Sequence, residues 1–337
     1  MSFRDVGELE DFMSAPAPEL AADLERAQGD LIVLGVGGKM GPTLARMAKR
    51  AAPGKRVLGV ARFSEKGLRE KLENSGIECI ACDLLDRAAL ERLPRPQNVV
   101  FMAGHKFGAA SQPSLTWAMN VAVPHMVAEA FRDSRIVAFS TACVYPYVDV
   151  AGPGAREDAP TTPPAGDYAN SCVGREQMFL YGSRRYGTPG RVVRLSYAID
   201  MRYGVLHDVA SSVLAGRPLD LAMGYVNVIW QGDANEQALR LLARCTTPAS
   251  PINVTGPEKV AVRWLAGEFG KRFGRQPVFS GRESKTAWLI DTTEAIKLFG
   301  APRVPLATMI DWVADWVSRG QPSLGKPTHF DTRDGSY

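Results

Sequence analysis

Two short stretches carry residues able to do chemistry. "GVGGKMG" sets Gly35, Gly38 and Gly41 between an aliphatic run and an amphipathic one, with Lys39 and Met40 inside the loop. A glycine turn between strand and helix suits a pyrophosphate. Gly35 permits the tight turn, Gly38 lets the backbone approach the ligand, and Gly41 lets helix and strand pack closely, while the helix N-terminus favours negative charge. The second stretch, "YANSCVGRE", opens a helix with Tyr168. A phenol titrates near 10, so only about one in a thousand is ionised at pH 7; proton exchange there needs a cation close enough to lower the pKa by roughly 1–3 units. One helical turn on, the same face presents Cys172. Neutral, a thiol supplies no charge, and as a thiolate it raises the phenol's pKa. Arg175 returns to that face seven residues after Tyr168.

The elements that must position these groups alternate along the chain. "DLIVLG", "KRVLGVARF", "IECIACDLLD", "NVVFMAGHKFG", "RIVAFSTACVYP" and "GRVVRLSY" are aliphatic runs separated by stretches of helical period. Such alternation implies an α/β fold, a Rossmann-type doubly wound parallel sheet covered on both faces. Residues 1–29 read as a helical N-terminal extension and 30–195 as the nucleotide-binding domain, with 226–245 returning to its sheet. The alternation loosens after Ser196, so 196–225 and 246–325 are expected to form a smaller C-terminal α/β substrate domain. The segment 326–337 has little periodicity and reads as a surface tail, with a position over a cleft as the alternative.

At the end of the second strand an acid would bind the ribose hydroxyls of NAD, whereas an arginine accommodates a 2′-phosphate. The chain places Arg62 there, with Ser64, Lys66 and Arg69 close by, which favours NADP over NAD. Asp83, followed by Leu84, closes the third strand where it can hydrogen-bond an adenine. The 337 residues are 45% hydrophobic and 23% charged, with a net charge of +4 whose basic residues are scattered, so no nucleic-acid partner is expected. Cys79 and Cys82 form "CIAC" without a second pair, which argues against a metal site. No apolar run approaches the roughly 18 residues of a membrane span, and the N-terminus lacks a signal peptide's apolar core; a cytoplasmic protein is expected.

Taken in order, "GVGGKMG", "CDLLD", "AMNVAVP", "FSTACVYP" and "YANSCVGRE" resemble the extended short-chain dehydrogenase/reductase superfamily, the NAD(P)-dependent sugar epimerases and dehydratases, over roughly residues 30 to 275. The resemblance implies a homodimer formed through two long helices of the main domain. It also implies an oxidoreductase or epimerase that transfers hydride at a carbinol or ketone carbon of a sugar, a sugar nucleotide or a related polyhydroxylated small molecule. By the same resemblance Thr141 hydrogen-bonds the substrate oxygen, Tyr168 is the acid/base, and Asn120 helps hold the catalytic group. The family's lysine, which also binds the nicotinamide ribose, is replaced by Cys172. "MAGHKFG" and "STACVYP" resemble the GDP-fucose synthase branch in particular. That match brings Ala103 and Lys106 to the cofactor, Cys143 to the nicotinamide as an acid/base, and His207 to the place of a second one.

Three readings of the missing lysine stay open at this point. Another cation, Arg175 or Lys106, substitutes for it; or Cys172 or Cys143 transfers the proton; or the site binds dinucleotide in a regulatory or scaffold role with little catalysis. Retention of Thr141 and Tyr168 favours chemistry. Asn227, Trp230 and Gln231 fall where a substrate domain approaches its cleft, with core packing and capping as the alternative. Arg202, Arg217, Arg263 and Arg282 are possible clamps for a phosphate or carboxylate, and His105 and His125 read as structural.

Overall fold

The structure, a computed structural model, describes residues 2–333 except 107 and 327. Seven parallel strands form the main sheet: β1 (Leu31–Leu34), β2 (Val57–Ala61), β3 (Glu78–Ala81), β4 (Asn98–Phe101), β5 (Arg135–Thr141), β6 (Gly190–Leu195) and β7 (Ser250–Val254). Their order is β7-β6-β5-β4-β1-β2-β3. Consecutive residues enter opposite layers: Val33, Val100, Val137 and Val193 pack on one face, Ile32, Leu34, Val99 and Phe101 on the other. Burial on both faces is why the central strands β1, β2, β4 and β5 read as unbroken aliphatic runs, whereas β3 at the edge is only partly covered. Strand order reverses between β1 and β4, and a crevice opens beyond the carboxyl ends at such a point.

The first six strands fall where the sequence puts them; the seventh does not. Residues 226–245 return to the domain chiefly as the helix Gln231–Arg240, whose Gln231 and Asn235 amides donate to Thr43 Oγ1 at 3.2 and 3.1 Å. The strand that completes the sheet is β7, from the stretch assigned to the substrate domain. It is short and contains Pro251, which lacks the N–H of a ladder and is tolerated because β7 lies at the sheet's edge. The stretch "LTWAMNVAVPHMVAEAFR", whose period predicts one long helix over 115–132, is interrupted by a π-turn at Ala118–Ala122. Pro124 follows that turn, and its missing N–H and its clash with the carbonyl four residues back account for the widening.

Both terminal segments are built into the fold. The N-terminal extension forms helices Val6–Met13 and Pro18–Arg26, the first capped by Asp5, which accepts from the Glu8 N–H at 2.9 Å. Phe3, Leu9 and Met13 are buried in the core of the C-terminal half, with the Phe3 ring 5.0 Å from that of Trp312. The C-terminal stretch, expected as a surface tail, instead takes the alternative position against the cleft. Thr328 and Phe330 are buried, Thr328 donates to Asp208 through N (2.8 Å) and Oγ1 (2.6 Å), and the Arg333 guanidinium lies 4.0 Å over the Tyr147 ring. Single side-chain contacts of this kind leave no periodic trace. Residues 334–337 of that tail lie outside the described residues. Among the described residues no helix is long and apolar enough to cross a membrane.

Candidate active site

A cleft of about 910 Å³ opens beyond the carboxyl ends of β1, β4, β5 and β6. Its floor is the glycine loop. Gly35 has φ +90°, and the N–H groups of Gly35 and Val36 both donate to Val60 O, at 2.9 and 3.1 Å. A Cβ on Gly35 would sit 2.5 Å from Ala103 N, and one on Gly41 would collide with the Val36 carbonyl. Glycine at both positions lets β1, β4 and the following helix Gly41–Ala51 close up around the loop. A Cβ on Gly38 would meet only Gly35 O at 3.5 Å, so that face of the loop is left open to a ligand. Lys39 and Met40 line the cleft from the same loop. The Lys39 ammonium donates to Ala198 O at 2.9 Å and lies 4.3 Å over the Tyr203 ring. Burial pulls its pKa down to about 8, with Asp200 opposing the fall. The bare turn, the helix N-terminus and the buried cation fit the pyrophosphate of a dinucleotide.

Thr141 ends β5 and Tyr168 lies in the first turn of the helix Asp167–Tyr186; the Thr141 hydroxyl acts on the Tyr168 phenol, and both side chains line the cleft. Thr141 Oγ1 also accepts from the Cys143 N–H at 3.2 Å, which fixes Cys143 at the cleft wall. Burial, with the thiols of Cys172 and Cys143 beside it, pushes the Tyr168 phenol well above 10, against the pull of Arg175 and the Thr141 hydroxyl. The phenol therefore holds its proton at neutral pH. Cys172 is wholly buried among Ala142, Val144, Tyr145 and Ile290, and burial pushes its thiol up to about 11. It does not line the cleft. With its pKa raised, the Cys172 thiol holds its proton at neutral pH, which speaks against the reading in which it transfers a proton as a thiolate.

Asn120, in the π-turn, holds the surroundings together. Its Oδ1 accepts from His105 N at 2.9 Å and from Arg175 Nη2 at 2.5 Å; its Nδ2 donates to His105 O at 3.0 Å and to Ser171 Oγ at 2.9 Å. Arg175 is buried and also donates to Phe139 O at 3.1 Å. The Lys106 ammonium lies 5.7 Å from the centre of the Tyr168 ring and donates to Thr328 O at 3.3 Å. Burial lowers its pKa, and the thiols of Cys143 and Cys172 and the Asp208 carboxylate work against that. Two cations thus stand near Tyr168 although the residue one turn on is a cysteine.

A model of the NAD dependent epimerase/dehydratase family matches residues 31–216. The chain belongs to this family. It is accordingly an enzyme built to use a nicotinamide cofactor. No curated protein sequence matches it significantly. Among solved structures it is similar to the UDP-glucose 4-epimerase of Thermus thermophilus in complex with NAD, at 20% identity over 85% of this chain and 98% of that one, TM-score 0.70. It is also similar to the dTDP-glucose 4,6-dehydratase of Streptomyces venezuelae, solved with NAD, at 20% identity over 86% and 98%, TM-score 0.72. The UDP-glucuronic acid 4-epimerase of Bacillus cereus, in complex with UDP-glucuronic acid and NAD, gives 17% identity over 86% and 99%, TM-score 0.71. At these identities the likeness is one of fold.

Within that fold several expected residues stand apart from the cleft lining. Arg62 is exposed and outside it; the rim there is formed by Glu65, Lys66, Gly67 and Leu68. Asp83 is exposed and accepts from Leu85 N at 3.0 Å within its own turn, while Leu84 is buried in the core. Ala103 is buried and acts through its backbone against Gly35. His207, on the helix Val205–Leu214, has Nδ1 3.7 Å from Asp208 Oδ1 and does not line the cleft. Trp230 packs beside Phe12 and Trp312, Gln231 bonds Thr43, and Asn227 bonds Glu258 O and Ile290 N, so all three are structural. Lining residues missed in the sequence include Glu10, Lys71, Tyr197, Tyr203, Trp288 and Thr328. Tyr197 had a usable signal, its place just past the carboxyl end of β6. The others carry none.

Proposed function

We propose that this enzyme transfers hydride between NADP(H) and a carbinol or ketone carbon of a sugar, a sugar nucleotide or a related polyhydroxylated compound. One observation carries the reading: Thr141 and Tyr168 line the cleft together, with Lys106 and Arg175 nearby in place of the lysine that Cys172 displaces. The nicotinamide, when bound, supplies or accepts the hydride. Thr141 Oγ1 and the Tyr168 hydroxyl hold the substrate oxygen between them. In the reducing direction Tyr168, protonated at neutral pH, donates to that oxygen, and the charges of Arg175 and of Lys106 beside its ring stabilise the phenolate left behind. If the reaction is an epimerisation, Cys143 at the cleft wall is placed for the carbon-bound proton; His207, outside the lining, receives no role in this scheme.

The preference for NADP(H) rests on Arg62 where an acid would select NAD, and on Lys66, four residues further on, which lines the rim. A cytoplasmic homodimer fits the remaining features. No disulfide forms among the five cysteines, as in a reducing compartment. The helical segments over 113–130 and 167–186 expose Trp117 (41%) and Tyr181 (49%), large apolar surfaces that a partner copy would cover.

Calorimetry of NADPH against NADH, with Arg62→Ala and Lys66→Ala beside the wild type, tests the cofactor. Turnover on a panel of sugars and sugar nucleotides then tests the chemistry. NADPH is expected to bind more tightly, the variants to lose that margin, and Tyr168→Phe to lower kcat/KM by about 10²–10⁴. Failure of both nucleotides to bind would refute the cofactor assignment, and full activity in Tyr168→Phe would refute the mechanism.

A further inference from the structure

The residues before Leu31 lie outside the family match, yet one of them reaches the cleft. Glu10, on the helix Val6–Met13, is only 9% exposed and lines the cleft with Lys71 and Arg202. Its Oε1 accepts from Arg202 Nη1 at 2.9 Å, its Oε2 bonds the Lys71 ammonium, and Arg46 Nη1 lies 3.5 Å away. Burial disfavours this carboxylate, but the Lys71 and Arg202 bonds outweigh it and hold its pKa below the usual range. The two main partners stand on opposite walls. Lys71 is on the helix Leu68–Glu73 after β2, and Arg202 lies beyond β6, fixed by Asp200 at 2.8 and 3.1 Å. In the sheet, β2 and β6 flank the reversal point from either side. Glu10, Gly67 and Lys71 also line an outer crevice, so the Glu10–Lys71 contact is part of the partition between that crevice and the cleft. The helix bearing Glu10 is anchored by Leu9 and Met13, both fully buried in the C-terminal core.

We propose that the N-terminal extension is a clasp on the dinucleotide cleft: Glu10 ties Lys71 to Arg202 across it, and cofactor enters and leaves while this bridge is parted. The inference rests on a nicotinamide dinucleotide occupying the cleft. The clasp acts on exchange kinetics more than on affinity, because Lys71 and Arg202 are already neutralised by carboxylates of the chain itself.

The test compares wild type, Glu10→Gln and Lys71→Met, each loaded with NADPH and chased with excess unlabelled nucleotide in a stopped-flow fluorimeter. A purely electrostatic role predicts opposite effects, since one variant adds net positive charge and the other removes it. The clasp predicts the same effect in both: entry and release each faster by at least about tenfold, with Kd changed by less than about threefold. In the wild type, raising the salt should speed release towards the variants' rate. Release rates equal to wild type in either variant, or shifted in opposite directions, overturn the clasp and leave the cofactor reading intact. Absence of nucleotide binding to the wild type overturns both. Lys71 is 49% exposed at its side chain, so Lys71→Met reads out the clasp even if Glu10→Gln compromises folding.

Discussion

The ammonium of Lys39 hangs in the glycine loop with burial pulling its pKa down to about 8. At pH 7 about nine in ten of these side chains are charged, and at pH 9 only about one in eleven. A bound pyrophosphate supplies the compensating charge and returns the pKa towards its ordinary value near 10.4. Affinity for the dinucleotide should therefore weaken about tenfold between pH 7 and pH 9, with close to one proton taken up per molecule bound at the upper end. Calorimetry in two buffers of different ionisation enthalpy measures both quantities at once. Lys39→Met should bind more weakly at pH 7 and show a flat profile to pH 9. The unliganded fold responds with the opposite sign. Between about pH 8 and 10.5 the folded lysine binds fewer protons than the unfolded one, so its cost to stability is full below pH 8 and is relieved as the pH rises through that window. An unchanged Kd at pH 7 and 9, or a slope that survives in Lys39→Met, would refute this account of the loop.

Cys172→Ala should leave kcat within about threefold and lower stability by about 1 kcal/mol through the small void it leaves; a hundredfold loss of kcat would give the thiol a chemical role after all. Arg194 and Glu176 form a buried pair at 2.7 Å, with side chains 5% and 1% exposed, and Ser140 Oγ adds a bond to Glu176 at 2.6 Å. Arg194→Met strands that carboxylate and should cost about 3–5 kcal/mol in urea denaturation, much of it recovered in the double variant with Glu176→Gln. A loss below about 1 kcal/mol would mean that Glu176 finds water or another donor.

What was legible in the sequence follows from what is local. The central strands could be read because burial on both faces forces continuous aliphatic runs, the half-exposed edge strand β3 through its place in the alternation, and the glycine loop because a close backbone approach admits no Cβ at Gly35 or Gly41. Thr141 and Tyr168 were reached through the family resemblance; the structure puts them at a strand end and in a first helical turn, both on the cleft. Arg62 was harder, since the direction of a residue past a strand end depends on the turn that follows. Here Phe63 (φ +50°) and Gly67 (φ +81°) redirect the chain so that Glu65 to Leu68 form the rim. Glu10 could not be read at all, and the stretch holding Thr328 only as an alternative placement over a cleft. The bond from Arg202 to Glu10 spans 192 residues and that from Lys106 to Thr328 spans 222, and neither residue belongs to a repeating pattern.

The anchoring of the N-terminal helices has a consequence for how the molecule is made. Phe3 packs on Trp312, and Arg319 donates to Phe3 O across 316 positions of the chain. A ribosome working at about 5–20 residues per second needs roughly 15 to 60 s to deliver those partners. During that interval the first helix lacks its C-terminal core partners and has only its polar contacts to Arg46, Arg50 and Lys71, while β1 to β6 and the glycine loop are already available to pair. The nascent nucleotide-binding domain thus passes through a stage in which its cleft stands open, and loading of dinucleotide can precede the last step of assembly.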